Sequence, residues 1–192
     1  MVGNLLIGVI IALMAALFGG WIGVNTKQEI KKFANRLSFS KEILVFLIGL
    51  LLILVTTETA VITLVIIALG ALTTTILNKF WLGRANRYFE IALLGLATGG
   101  AFALDSKLGF LLIAFVVLYN LITESVATVT VIKKKKMLSD FKGIGITQLT
   151  YLFGVVLSYM LFEITHAAPI GFLVYIGGSI LFLVFEPRLS RR

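Results

Sequence analysis

The chain has 192 residues, 59% of them apolar and only 14% charged, and a net charge of +8. Its mean hydropathy of +1.07 is far more apolar than a water-facing domain of this length requires, so long uncharged runs between basic clusters read as an all-α, polytopic membrane bundle. Cysteine is absent and His166 is the single histidine, which excludes disulfides, thiolate chemistry and a multi-histidine zinc site built from one chain.

The distribution of charge sets the expected crossings. Lys27, Lys31, Lys32, Arg36 and Lys41 form one basic cluster; Lys79, Arg84 and Arg87 a second; Lys133 to Lys136 with Lys142 a third; Arg188, Arg191 and Arg192 a fourth. Only Lys107 stands apart. Cytoplasmic loops collect Lys and Arg, so all four clusters belong on one side and each interval between them holds an even number of helices. The same placement turns the positive charge toward the lipid bilayer rather than toward nucleic acid. Lys133–Lys136 reads as the inner anchor of the preceding helix.

Residues 2–24 form the first expected span. They lack a basic leader and are long, so they read as a retained helix rather than a cleaved signal. Gly19 and Gly23 give this span a small-residue ridge. Residues 43–57 and 60–78 form a tight pair around Glu58. Residues 90–104 carry Gly95, Gly99 and Ala103 every four residues, a second ridge; this short helix is expected to sit among other helices. This second ridge also fits a face between two copies of the chain. Spans 108–132, 144–163 and 168–186 complete seven, with the N-terminus outside and the C-terminus inside a single plasma-membrane domain covering 1–192. Spans 43–57 and 90–104 offer only about 15 residues against the ~20 needed to cross.

The fifth span contains "VVLYNLITESVATVTV" (116–131), with Asn120 and Glu124 near its middle. Asn120, Glu124 and Thr128 recur every four residues and share one helical face. An ionised carboxylate at that depth is costly, and no basic residue is expected there, so a proton, water or a bound cation must balance it. The sixth span supplies the expected polar partners, Gln148, Tyr151, Ser158 and Tyr159. At the outer tips Glu58, Asp105 and Glu163 form a negative mouth with His166 close by, which would concentrate cations. His166 is a candidate pH-sensitive group there.

A shift of 105 residues lays "FLIGLLLILVTTE" (46–58) over "YLFGVVLSYMLFE" (151–163), matching Gly49 to Gly154 and Glu58 to Glu163. Two triplets of helices about a linking helix would follow, a plan met in transporters; chance alignment of leucine-rich helices is the alternative. No nucleophile–histidine–acid set, phosphate loop or paired catalytic carboxylates occurs, so no enzyme is expected.

The order of features resembles the ZIP family of divalent-metal transporters. The likeness runs through "ALGALTTTILNKF" (68–80), "GGAFALDSKLGFLLIAFVVLYNLITES" (99–125) and "APIGFLVYIGGSILFLVFEP" (168–187). In that family the fifth helix carries His-Asn-x-Pro-Glu-Gly at the metal. Here Asn120 matches in place, Tyr119 stands for the histidine, the proline is absent and Glu124 falls one residue late. The resemblance implies ion transport, with Asn120 and Glu124 as metal ligands and a divalent cation (Mg, Mn, Fe or Zn) as cargo. Oxygen ligands favour the first three over zinc. Two functions remain open: a secondary transporter or permeation protein for a small cation or proton, with Glu124, Asn120, Thr128 and Gln148 as its site, and a non-transporting membrane subunit or scaffold that binds a partner protein or lipid.

The orientation is directly testable, because a chain without cysteine accepts single probes. In intact cells a membrane-impermeant maleimide is expected to label Ser106→Cys at once and Lys134→Cys only after permeabilisation. The opposite pattern would invert the topology.

Overall fold

Why do stretches this apolar fold at all? In hydrocarbon each backbone N–H and C=O must be bonded within the chain, and a helix does this locally. The computed structural model describes residues 2–54, 60–77, 86–131, 137–166 and 169–189. Seven helices fill them: α1 (Val2–Asn25), α2 (Lys27–Leu54), α3 (Ala60–Leu77), α4 (Asn86–Leu104), α5 (Ser106–Val131), α6 (Met137–Thr165) and α7 (Ile170–Leu189). No strand occurs among the described residues. Glu58, Lys79, Arg84, Lys133 to Lys136, Arg191 and Arg192 lie outside them.

All seven expected helices are present, but three begin at least four residues earlier than hydropathy places them. The second starts at Lys27 rather than 43, the fourth at Asn86 rather than 90, and the sixth at Met137 rather than 144. The reason is that hydropathy marks where lipid begins, whereas Lys, Arg and Glu are good helix formers and extend a helix past that point. At 28 residues, α2 is about 42 Å long. Its basic first half buries Ile30 and leaves Lys31, Lys32 and Arg36 exposed, so it is amphipathic. There is no loop between α1 and α2. Thr26 N–H donates to the Ile22 carbonyl at 2.9 Å, and Thr26 carbonyl accepts from Ile30 N–H at 3.0 Å.

Other ends have local causes. Asp105 Oδ1 accepts the Lys107 N–H at 3.1 Å, which caps the first turn of α5. His166 has φ 50° and ends α6 in the left-handed conformation that commonly terminates helices. Four helical segments are long and apolar enough to cross a membrane: Val2–Asn25, Lys27–Leu54, Ser106–Val129 and Gly143–Thr165. Ile62–Ile76, Tyr88–Leu104 and Ile170–Val184 are shorter apolar segments. Leu6, Ile10, Met14 and Trp21 on α1, and Leu149, Phe153, Met160 and Ile164 on α6, all point outward. Such a belt is unfavourable in water and natural in lipid. The chain is a membrane protein.

Helices α1 and α5 run parallel, as do α4 and α6. On the α1–α5 seam Gly8 meets Ile113 and Gly23 meets Ser125; on the α4–α6 seam Gly154 meets Ala92 and Gly99 meets Val155 and Ser158. This is the alternation expected of a chain that crosses repeatedly. The fourth helix also stands where the sequence places it. It packs on α5, α6 and α7, and Ile91, Leu94, Ala97, Thr98 and Ala101 on it are 0–1% exposed. The two triplets do not use equivalent neighbours: α6 lies along α4, whereas α2 lies along α5 and α7.

Both small-residue ridges are consumed inside the chain. A Cβ on Gly19 would lie 2.8 Å from the Leu121 carbonyl oxygen, and one on Gly23 2.7 Å from that of Ser125. Gly95 and Gly99 face the backbone of Tyr151 and Val155 even more closely. Gly145, by contrast, has nothing within 4 Å of such an atom. Gly19→Ala is therefore expected to lower unfolding stability in bicelles by about 1–3 kcal/mol through overpacking. Gly145→Ala should be neutral or stabilising by up to about 1 kcal/mol.

Candidate functional site

The candidate site grows from the middle of α5. Asn120 is 3% exposed, and its Nδ2 donates to the Ala12 carbonyl of α1 at 3.0 Å. Five residues on, Ser125 Oγ lies 2.9 Å from the Gly19 carbonyl and 2.6 Å from that of Leu121. These bonds are possible because the α1 face is made of Ala12, Gly19 and Gly23, which let the two backbones close in. Asn120 thus fastens α5 to α1. The first polar member of the expected stripe has a packing task.

Glu124 projects from the adjoining face and is 1% exposed, with both carboxyl oxygens shielded from solvent. Thr128 is buried, and its hydroxyl donates to the Glu124 carbonyl at 2.7 Å. It extends the stripe without adding a free ligand. From α6, Ile144 reaches the α1–α5 seam: a Cβ on Gly20 would lie 2.7 Å from Ile144 Cδ1 and 3.8 Å from Thr128 Oγ1. One turn further along α6 is Gln148, and one turn back along the antiparallel α5 is Glu124. Gln148 is 6% exposed, and neither amide atom makes a hydrogen bond among the described residues.

The expected partners on α6 divide. Gln148 makes no hydrogen bond to α5 among the described residues. Tyr151 turns to α4 and donates to Thr98 Oγ1 at 3.3 Å, while Ser158 donates to the Gly154 carbonyl of its own helix at 3.0 Å. The reason is packing: the Gly95–Gly99 ridge draws α6 onto α4 along most of its length. On α5, Asn120 and Ser125 bond to α1 instead.

A second correction concerns charge. The sequence suggested no basic residue at the depth of the α5 midpoint, yet Lys41 is there. Its Nζ lies 5.4 Å from the centroid of the Tyr119 ring and 2.8 Å from Glu90 Oε2 on α4. Tyr119 is 0% exposed and sits at the centre of α5. The Lys41 and Glu90 side chains are 27% and 13% exposed. The signal for this pair was present in the two spans that looked too short, because Lys41 and Glu90 begin them with opposite charges. Each charge enters the membrane only because the other meets it.

The residues expected at the outer mouth are placed one by one. Asp105 serves as the cap of α5, Glu163 and His166 are exposed, and Glu58 lies outside the described residues. Among the described residues no three His, Asp or Glu side chains gather as a metal cluster. Comparison with family models, curated proteins and solved structures yields no match. The site is therefore read from its own chemistry.

Removing one member of the ion pair leaves the other charge uncompensated in the membrane. Lys41→Met is expected to cost about 2–4 kcal/mol, and the double replacement Lys41→Met with Glu90→Met to recover most of that loss. Steric-trapping or denaturant unfolding of the three variants in bicelles measures the coupling.

Proposed function

We propose that the protein is a plasma-membrane secondary carrier or permeation protein for a small cation, in line with its resemblance to ZIP transporters. The observation that carries this reading is Glu124, a carboxyl buried in the middle of a helix long enough to span the bilayer. Carboxyl groups at such positions are rare because they are costly, and they commonly mark ion or proton paths. Gln148 on α6, 6% exposed and without a hydrogen bond among the described residues, is a further polar group of the proposed site, with an amide oxygen of the hard type. Asn120 contributes through its remaining carbonyl oxygen, since its nitrogen is engaged with Ala12.

A second reading, a non-transporting membrane subunit, has one observation in its favour. The α1–α5 seam beside Glu124 is closed by backbone contact at Gly19 and Gly23, which suits a sealed scaffold. The two readings part on flux. In proteoliposomes holding a Mn²⁺-sensitive dye, Glu124→Gln is expected to lower uptake at least tenfold, about 1.4 kcal/mol of lost ion or proton binding. Equal uptake by both proteins removes Glu124 from the path, and no uptake by either favours the scaffold.

A further inference from the structure

The outward face of α2 does not change sides where its charges begin. Along the C-terminal half, Ile43, Leu47, Leu50 and Leu54 are exposed at steps of three or four residues. That spacing makes one helical stripe, and it faces lipid, while Val45, Ile48 and Leu52 on the other side are buried. Continued by the same steps toward the N-terminus, the stripe passes through Phe39, Arg36 and Lys32, all exposed. Ile30 is buried and keeps to the inner side. The helix is unbroken from Lys27 to Leu54, so one surface runs from aliphatic, through an aromatic, to two cations.

Distances along the helix match a lipid standing against this surface. Lys41 lies beside Tyr119 at the centre of α5. Lys32, nine residues before it, is about 14 Å further along the axis, close to half of the ~30 Å hydrocarbon layer. Arg36 starts deeper, and its guanidinium is turned toward the same end: Cζ stands 5.9 Å over the ring of Phe33, three residues nearer the N-terminus. A long cationic side chain leaves hydrocarbon for the headgroup layer in this way. Exposed Phe33 and Phe39 beside cations are unfavourable in water and suited to that layer.

Charge selects the occupant. From Lys27 to Lys41 there are five Lys or Arg and one acid, Glu29. Lys41 is engaged by Glu90, whereas Lys32 and Arg36 make no ion pair among the described residues. We propose that Lys32 and Arg36 hold the phosphate of an acidic phospholipid whose acyl chains lie against Ile43, Leu47 and Leu50. Arg36 presents a planar fork to the phosphate oxygens, and Lys32 adds a second cation one turn further out. A zwitterionic headgroup brings its own ammonium into the same space and is disfavoured there. A soluble acidic partner would meet the cations but not the apolar stripe continuous with them. The site is independent of Glu124 and of the carrier reading.

A lone tryptophan on the stripe tests this: Phe39→Trp in a full chain carrying Trp21→Phe and Trp81→Phe. In vesicles of phosphatidylcholine and phosphatidylglycerol, with either lipid dibrominated in turn, its quenching reads their relative affinity at this position. At low salt phosphatidylglycerol is expected to bind roughly twentyfold more tightly, and Lys32→Gln or Arg36→Gln each to lower that preference about fivefold, the scale of one basic group at an acidic surface. Lys31→Gln, the same charge change about 100° around the helix, should leave the preference essentially as it was. Equal quenching by the two lipids, or a preference untouched by Lys32→Gln and Arg36→Gln, overturns the site. An equal fall in Lys31→Gln overturns the stripe in favour of a diffuse positive surface. Quenching by aqueous iodide rather than by either bromolipid places the stripe in water, overturns the lipid and points to a soluble acidic partner.

Discussion

The bundle depends on backbones that touch. Lipid gives apolar side chains no reason to leave it, so helices in a membrane hold together by close packing and interhelical polar contacts. Here each main seam is built on missing Cβ atoms: Gly19 and Gly23 between α1 and α5, Gly95, Gly99 and Gly154 between α4 and α6, Gly49 and Gly177 between α2 and α7, Gly70 and Gly178 between α3 and α7. At these points a carbonyl of one helix stands where a methyl group would otherwise be. The large outward side chains then serve only to face lipid.

Close approach also decides what polar side chains can do. A short amide on α5 reaches a carbonyl of α1 only because Ala12 and Gly19 admit the backbone, so Asn120 and Ser125 become fasteners. Where α6 leaves α5 to follow the α4 ridge, the same kind of residue is not used up. Thr123 on α5 and Gln148 on α6 are buried and make no side-chain hydrogen bond among the described residues. Division of labour along one helical stripe follows from which neighbour is near enough to claim each group.

The ion pair of Lys41 and Glu90 solves a different problem. The apolar segment of α4 is shorter than the four long spans, and α2 and α4 would each carry a lone charge into the layer. Placing opposite charges level with each other, under the face of Tyr119, lets both helices cross. The cost of the buried charges is met by geometry that joins three helices at mid-depth, close to the layer that holds Glu124.

Much of the architecture was legible before any coordinates. Hydropathy and the four basic clusters determined seven helices, and the four-residue spacing of Gly95 and Gly99 determined that α4 would lie inside, because period and charge are local properties of the chain. Helix starts were misplaced at α2, α4 and α6, since helical propensity outlasts hydropathy in Lys- and Glu-containing stretches. The site was half legible: Asn120, Glu124 and Thr128 share a face by spacing alone. Which neighbour claims each of them is not a local property. Only tertiary structure decided that Asn120 bonds Ala12, that Tyr151 belongs to α4, and that Lys41 meets Glu90, because those outcomes depend on which backbones come close enough to touch.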